Sequence, residues 1–257
     1  MSTTLALRVL EHQAEVLKRF WRAPLFIYLV FPLLFLAAIG LGVGELVSRR
    51  TGQVGGLPYL DFVAPGLMAA SAMQGGAGAS LWPVMGGIKW MGTFQAMVAT
   101  PVGPADVYDG VVVATTTRAS IGAAAFLLIA TILGAVSSPW AIAAIPAAGL
   151  CAAAFAAPLT AFTATQETDS QFPVIMRIVV MPLFLFSGTF FPVGQLPVGL
   201  RIAARFSPLW HGVELCRAAT TGTVRLGAAA IHVSVLIACI VAGAAWGHRT
   251  FTRRLTP

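Results

Sequence analysis

The sequence predicts an all-α integral membrane protein: one domain over residues 1–257, with six transmembrane helices, an amphipathic helix before them and a short helix outside the bilayer. Of its 257 residues, 58% are hydrophobic and only 10% are charged, whereas about 25% of the residues of a soluble domain are charged. The mean hydropathy is +0.85. Six apolar stretches approach the roughly 20 residues that cross the hydrocarbon layer, some of them only with tilt or kinks.

The first predicted element is an amphipathic helix over residues 1–22. Its charged positions recur at spacings of three and four, with an apolar series beside them that ends at Trp21. Such a helix lies in the membrane interface with its basic residues at the level of the headgroups. A solvated helix without a special role is the alternative. The charged positions are Arg8, Glu11, Glu15, Lys18 and Arg22.

The six predicted spans follow in order along the chain. Their limits are 24–44, 61–82, 112–134, 139–162, 173–191 and 226–247. The second span contains several glycines, which allow neighbouring helices to approach closely. These glycines are Gly66, Gly75, Gly76 and Gly78.

The distribution of basic residues predicts the orientation of the spans. With six crossings, both termini lie on one side, and the side richer in Lys and Arg is cytoplasmic. The predicted inner residues are Arg8, Lys18, Arg19, Arg22, Lys89, Arg118, Arg177, Arg249, Arg253 and Arg254, and the outer ones are Arg49, Arg50, Arg201, Arg205, Arg217 and Arg225. The sequence therefore predicts a multi-pass protein of the inner or plasma membrane with cytoplasmic termini.

Two connections lie on the predicted cytoplasmic side. The long one covers 83–111, where glycines and prolines bracket a short amphipathic helix from Ile88 to Ala99. The other, 163–172, is short and acidic. On the outer side, 192–225 is long and contains most of a segment, Phe186 to Arg217, in which an apolar run is broken by glycine and three prolines. Irregular backbone at membrane depth must be buried in protein or line water.

The polar residues exclude several functions. No GxxxxGK[ST] loop is present and the only lysines are Lys18 and Lys89, so the chain is not expected to bind a nucleotide by itself. The spans contain almost no ionisable groups, which counts against an ion-coupled carrier. Arg118 is interpreted as a residue that extends to the cytoplasmic interface. Gln74 either forms a hydrogen bond between helices or contacts a transported molecule.

No enzyme or nucleic-acid site is predicted. His211 and Glu214 have the H-x-x-E spacing of half of a di-metal site, but no second half is present, and we interpret them as a polar pair near the outer interface. The net charge of +7 comes from scattered residues rather than from a basic stripe with aromatic residues, so nucleic acid is not an expected partner. The three cysteines are isolated and are expected to be apolar fillers.

Several motifs taken together resemble the permease subunits of type-2 ABC exporters, most closely the branch of nodulation-type lipooligosaccharide exporters and daunorubicin-resistance permeases. An amphipathic helix and six spans are combined with ATPVGPADVYDG at 99–110, SGTFFPVGQLP at 187–197 and SPLWHGVELCR at 207–217. The SG-x-x-FP-x-x-x-LP segment and the later E-x-x-R, here Glu214 and Arg217, are the most specific part of the resemblance, which covers essentially the whole chain.

The resemblance implies a division of labour along the chain. Residues 1–22 would be the elbow helix, 86–100 would hold the coupling helix that docks into a separate ATPase, and 188–208 would be a re-entrant hairpin that caps the exit. The implied coupling residues are Lys89, Trp90, Met91, Phe94, Glu167 and Asp169. The implied exit residues are Gly188, Phe190, Phe191, Pro192 and Pro197, and the candidates for the translocation path are Gln74, Met73 and Tyr28.

The implied complex contains two permease chains and two ATPase chains. A homodimer of permeases is expected and a heterodimer remains open; ATP and Mg would be bound by the ATPase, with no cofactor in this chain. The implied function is the export of an amphipathic or lipid-linked molecule, either a drug or a glycolipid such as a lipooligosaccharide. Two alternatives remain at this point: a non-transporting sensor or assembly partner of an ATPase, and an ion-coupled secondary carrier.

Overall fold

The computed structural model describes residues 34, 36–38 and 53–256, and in those residues the fold is helical, with a single bridge between Val54 and Leu57 and no longer strand. The predicted elbow helix 1–22, most of the span 24–44 and Tyr28 lie outside the described residues. The helices are α1 (Tyr59–Met85), α2 (Thr93–Val98), α3 (Pro104–Ile132), α4 (Ala144–Thr163), α5 (Phe172–Phe186), α6 (Val198–Phe206), α7 (Pro208–Thr221) and α8 (Leu226–Leu255).

Three helical segments in the described part of the chain are long and apolar enough to cross a membrane. They are Pro104–Ile132, Pro139–Thr163 and Leu226–Leu255, and they contain or closely match the predicted spans 112–134, 139–162 and 226–247. The first is much longer than predicted because the helix begins at Pro104, well before the apolar run.

The other two described spans differ from the prediction. Helix α1 covers 61–82 and has 27 residues, but it is not among the three segments that meet both the length and the hydropathy requirement. Helix α5 ends at Phe186 rather than near 191, because the backbone turns at Ser187 and Gly188 has a φ of 84°. An L side chain rarely adopts that conformation, and glycine does so at little cost.

Helix α4 lies at the centre of the helices and packs against α1, α3, α7 and α8. Its alanine-rich surface lets these neighbours approach closely. A Cβ atom built on Gly76 of α1 would lie 2.8 Å from the carbonyl oxygen of Ala152 in α4, so only glycine fits this crossing. Gly66 and Gly76 of the second predicted span therefore have the packing role expected of small residues in membrane helices. Gly75 and Gly78 do not, because a Cβ atom at either position would meet nothing within 4 Å.

The predicted helix from Ile88 to Ala99 is divided in the structure. Helix α1 continues through a π-helical turn at Gly86–Trp90, the chain then turns at Gly92 with a φ of 65°, and α2 begins at Thr93. The left-handed conformation of Gly92 ends the first helical segment. The connection is therefore a helical turn and a six-residue helix at an angle, instead of one continuous helix.

Candidate functional site

A hydrophobic cluster joins the predicted coupling region to the end of the last helix. Phe94 of α2 is 4% exposed and its ring lies 6.2 Å from that of Phe251 in α8. Tyr108 of α3 packs against the same Phe251 at 5.3 Å. Ile88 and Leu255 belong to this cluster as well. The short connection after α1 is thus held against α3 and α8 by buried aromatic contacts. Their tilted and edge-to-face geometries are among those that aromatic pairs prefer.

An ionic network lies beside this cluster. Lys89 Nζ donates a hydrogen bond to the backbone oxygen of Glu167 at 2.6 Å and lies 3.5 Å from its carboxylate. Arg254, near the end of α8, donates to the Glu167 carboxylate at 3.1 Å and to the Gln166 carbonyl at 3.5 Å. Glu167 therefore joins both predicted cytoplasmic connections to the last helix.

The charge on Glu167 persists at neutral pH. The hydrogen bond from Arg254 and the charge of that guanidinium lower the pKa of Glu167 below its ordinary value of 4.5, and Lys89 adds to this effect. A carboxylate with a lowered pKa stabilises the fold above its ordinary pKa, and that contribution is lost as the pH falls through the lowered value. Because the carboxylate is exposed, solvent screens these attractions, and their role is to fix geometry.

Tyr108 fixes the first half of α3 against α4 and α8. Its hydroxyl donates to the carbonyl oxygen of Ala157 at 2.9 Å, and its ring fills the space that Gly247 leaves open. One residue along each helix, Asp109 and His248 lie 2.8 Å apart. These contacts make α3, α4 and α8 one packed unit at the end of the molecule that carries the coupling region.

The predicted coupling residues are divided between surface and interior. Trp90 and Met91 are 57% and 69% exposed, and Asp169 is exposed on the connection that contains Glu167. Phe94 points inward and packs in the interior. It therefore does not belong to the exposed surface formed by Trp90 and Met91. Arg254 and Phe251 were not among the predicted coupling residues. One feature of the sequence could have indicated them: α8 continues well past the apolar run, with Gly247, Phe251 and Leu255 on one face.

The broken segment after α5, residues 187–207, is a closed loop. Ser187 donates a hydrogen bond from its hydroxyl to Ser207 Oγ at 3.2 Å, so the segment begins and ends at the same point. Ser207 also caps α7 by accepting from the backbone N–H of Leu209 at 3.2 Å, a common role for serine at this position. The chain leaves α5, forms α6 and returns to the start of α7.

Arg217 holds the 187–207 loop to the start of α1. Its guanidinium donates to the carbonyl oxygen of Gly188 at 2.7 Å and to that of Phe62 at 3.3 Å, and it lies 3.9 Å above the Phe62 ring. Glu214, one turn earlier, accepts from it at 2.8 Å. The E-x-x-R motif is therefore a structural tie, since the planar guanidinium satisfies several acceptors at once.

The predicted exit residues occupy defined positions in the 187–207 loop. Phe190 and Phe191 are half-buried and pack edge-to-face against Phe184 and Phe186 of α5. Pro192 begins the short 3₁₀ turn Val193–Gln195, and Pro197 immediately precedes α6. Proline fixes φ at both turning points. The loop is folded back onto the end of α5 by its own aromatic residues.

The two residues of the H-x-x-E motif lie in different surroundings. Glu214 is engaged by Arg217, and the Nδ1 atoms of His211 and His232 lie 2.8 Å apart between α7 and α8, with Trp210 packed against both rings. Among the residues that the structure describes, no group of three or more His, Cys, Asp and Glu side chains is placed to hold a metal ion. His211 and Glu214 thus contact different partners.

A cavity of about 390 Å³ lies between α1, α3 and α5. Gln74 and Arg118 both line it, so the structure brings together two polar residues that the sequence treated separately. Met73 is fully buried in the core on another face of α1 and does not line the cavity. Of the two predicted path residues that the structure describes, Gln74 therefore lines this cavity and Met73 does not.

Comparisons with known proteins identify the family. A sequence model described as "ABC-2 type transporter" matches residues 13–220. The chain is 32% identical to Nodulation protein J of Rhizobium leguminosarum bv. trifolii over 190 residues, which cover 74% of this chain and 71% of that protein. It is 30% identical to Nodulation protein J of Rhizobium leguminosarum bv. viciae over 210 residues, which cover 82% and 79% of the two chains.

Nodulation protein J of Rhizobium meliloti (strain 1021) is a further relative, 28% identical over 209 residues that cover 81% of this chain and 76% of that protein. The match to the family extends over most of the chain and includes the divided coupling region and the Arg217 tie. On these grounds the chain belongs to the ABC-2 type transporter family and is a membrane permease.

Proposed function

We propose that this chain is the permease subunit of an ATP-driven exporter that moves an amphipathic or lipid-linked molecule out of the cytoplasm. The observation that carries the proposal is the arrangement of the coupling region: exposed Trp90 and Met91 lie on a connection whose other side is fixed to α3 and α8 by Phe94. A partner bound to that surface can move several helices together.

The partner is a separate ABC ATPase, present in two copies with two permease chains, and it binds ATP and Mg. Membership of the ABC-2 family supports an ATPase partner, and a homodimer of permeases is the simplest form of the complex. Closure of the ATPase dimer would act on 86–100 and, through Lys89 and Glu167, on the 163–172 connection. The permeases would then shift from an inward-open to an outward-open population, because nucleotide binds the two states with different affinity.

The topology of this proposal has six spans, with residues 1–22 as an interfacial elbow helix and both termini in the cytoplasm of an inner or plasma membrane. In this orientation the 187–207 loop lies at the outer end of α5. Its Gly188 turn and its prolines would cap the exit, with Phe190 and Phe191 against α5. The scarcity of charged residues in the spans supports an amphipathic cargo, either a drug or a glycolipid such as a lipooligosaccharide.

The docking surface is tested by co-expressing the chain with its partner ABC ATPase. Trp90→Glu and Met91→Glu place a charge on the exposed surface without disturbing the core, and we expect the ATPase to be lost from the purified complex. Trp140→Glu is the matched control, since Trp140 is 68% exposed on the turn at the opposite end of α3. Retention of the ATPase by both coupling variants, with normal ATP turnover, would contradict the assignment.

A further inference from the structure

The cavity between α1, α3 and α5 is formed by small residues at helical spacing. On α1 it is lined by Ser71, Ala72, Gly75 and Ala79, and on α3 by Ala119 and Gly122. These spacings of three and four place each set on one face of its helix. Two helices with small residues at a shared face ordinarily pack closely, but here the faces leave about 390 Å³ between them. That volume lies within the roughly 300–1,000 Å³ of small-molecule sites.

The two ends of the cavity differ in chemistry. Helices α1 and α3 are antiparallel, because the first part of α1 shares a core cluster with the last part of α3, whereas Val84 packs with Val107 at their other ends. Met68 and Phe126 therefore line one end of the cavity. Gln74, Thr115 and Arg118 lie nearer to the coupling region and form a polar end.

Arg118 adds an ionisable group to this cavity. It lies six residues beyond the start of the predicted span 112–134, and its side chain lines the cavity between the helices. Ionisable residues at such depth face a protein interior or a cavity and mark binding sites or pathways. A guanidinium stays charged and binds carboxylate or phosphate groups with several parallel hydrogen bonds. An amide at Gln74 offers both a donor and an acceptor beside it.

We propose that this cavity binds an amphiphile with an anionic head group, with the head at Arg118 and Gln74 and the apolar chain toward Met68 and Phe126. The inference deepens the proposed export function, on which it rests, by locating a site for the cargo class within one permease chain. The same chemistry occurs in an exported molecule and in a resident membrane lipid.

The test uses the complex of this chain with its ATPase in a neutral detergent, with two probes that share one acyl chain. Myristoyl lysophosphatidic acid carries an anionic head group and monomyristoylglycerol is neutral. Native mass spectrometry measures the bound fraction of each. We expect the anionic probe to bind about tenfold more tightly, as charge-assisted hydrogen bonds imply.

Two pairs of variants locate the binding site. Arg118→Gln removes the charge, and we expect the preference for the anionic probe to disappear; Arg177→Gln, at an exposed residue outside the cavity, is its control. Gly75→Leu fills the cavity, and Gly78→Leu is its control, since a Cβ atom at either glycine meets nothing within 4 Å and only Gly75 lines the cavity. Both controls should bind the anionic probe as the wild type does.

The outcomes separate this inference from the proposed function. Equal binding of the anionic probe by wild type, Arg118→Gln and Gly75→Leu would overturn the cavity assignment, even in a complex that hydrolyses ATP normally. Failure of the wild-type chain to assemble with any ATPase would instead contradict the exporter. If the probe binds in the cavity and raises ATP turnover, the occupant is cargo. If the probe binds in the cavity without changing ATP turnover, the occupant is a resident lipid. Either result supports the binding site.

Discussion

Arg217 connects three separate parts of the chain through one side chain. Its guanidinium reaches the Gly188 carbonyl in the 187–207 loop, the Phe62 carbonyl in α1 and the carboxylate of Glu214. The Arg217 side chain is only 12% exposed, and Phe62 and Gly188 are buried, so water cannot replace the hydrogen bonds to their carbonyl oxygens. Removing it would leave a carboxylate and two carbonyl groups without their donor, which costs more than the loss of the hydrogen bonds alone.

Arg217→Ala should lower the free energy of unfolding by about 1–3 kcal/mol. Arg217→Lys should recover only part of the loss, because an ammonium cannot reproduce the planar array of donors. The measurement is thermal unfolding of the purified protein in detergent. Arg225→Ala is the control, since Arg225 is exposed. Equal stability of Arg217→Ala and Arg225→Ala would show that the tie contributes nothing.

Gly247 has a similar residue-level role at the other end of the molecule. A Cβ atom at this position would lie 2.1 Å from Cε2 of the buried Tyr108 ring, and that ring is fixed by its hydrogen bond to Ala157. Gly247→Leu should therefore destabilise the protein by about 1–3 kcal/mol, the usual cost of overpacking. In the same thermal unfolding measurement, Gly227→Leu on α8 meets nothing within 4 Å and should have little effect. Comparable losses in both variants would argue against a specific clash.

At the scale of elements, the coupling region is held in place by the helices packed around it. Helix α2 has six residues, too few to be stable alone, and it is held by α3 and by the end of α8. Through Glu167, the 163–172 connection is joined to Lys89 in the turn after α1 and to Arg254 of α8. We expect the end of α8 to transmit motion together with the two connections, although it is distant from them in sequence.

Charge reversal tests this expectation. Glu167→Arg and Arg254→Glu should each reduce the ATP turnover of the complex, because each places like charges side by side. The double variant should recover part of the turnover, since it restores the 167–254 pair with exchanged signs but leaves Lys89 beside a positive charge. Stability should change little, as exposed ion pairs contribute little. Arg253→Glu, at an exposed neighbour, is the control, and a double variant no better than the single ones would rule out a direct coupling.

At the scale of the whole molecule, composition predicted the helical membrane class, and glycine spacing indicated the close crossing at Gly76. Three predicted spans coincide with long apolar helices because their apolar runs are long, although the first of these helices begins eight residues earlier, at Pro104. The division of the coupling helix was not predicted, because residues Ile88 to Ala99 have the pattern of one amphipathic helix. Gly92 is a single interruption of that pattern. The contact of Arg254 with Glu167 joins residues 87 positions apart, and no local pattern reports such a contact.

The proposed topology is tested by labelling single cysteines with a membrane-impermeant maleimide in intact cells or spheroplasts, in a background without Cys151, Cys216 and Cys239. Gly194→Cys, on an exposed residue of the 187–207 loop, should react from outside. Met91→Cys, on the coupling surface, should react only after the membrane is permeabilised. The reverse pattern would invert the orientation. Reaction of both cysteines from outside would contradict the odd number of spans, three, that the proposed topology places between Met91 and Gly194.

The central claim is that ATP hydrolysis by a partner moves an amphipathic molecule through this permease. The most direct measurement reconstitutes the chain and its ATPase into vesicles and follows a fluorescent acylated oligosaccharide across the bilayer. We predict movement that requires ATP hydrolysis, persists after ion gradients are collapsed, and is lost with Trp90→Glu but not with Trp140→Glu. Movement driven by an ion gradient without the ATPase, or no movement in vesicles that hydrolyse ATP normally, would contradict the account.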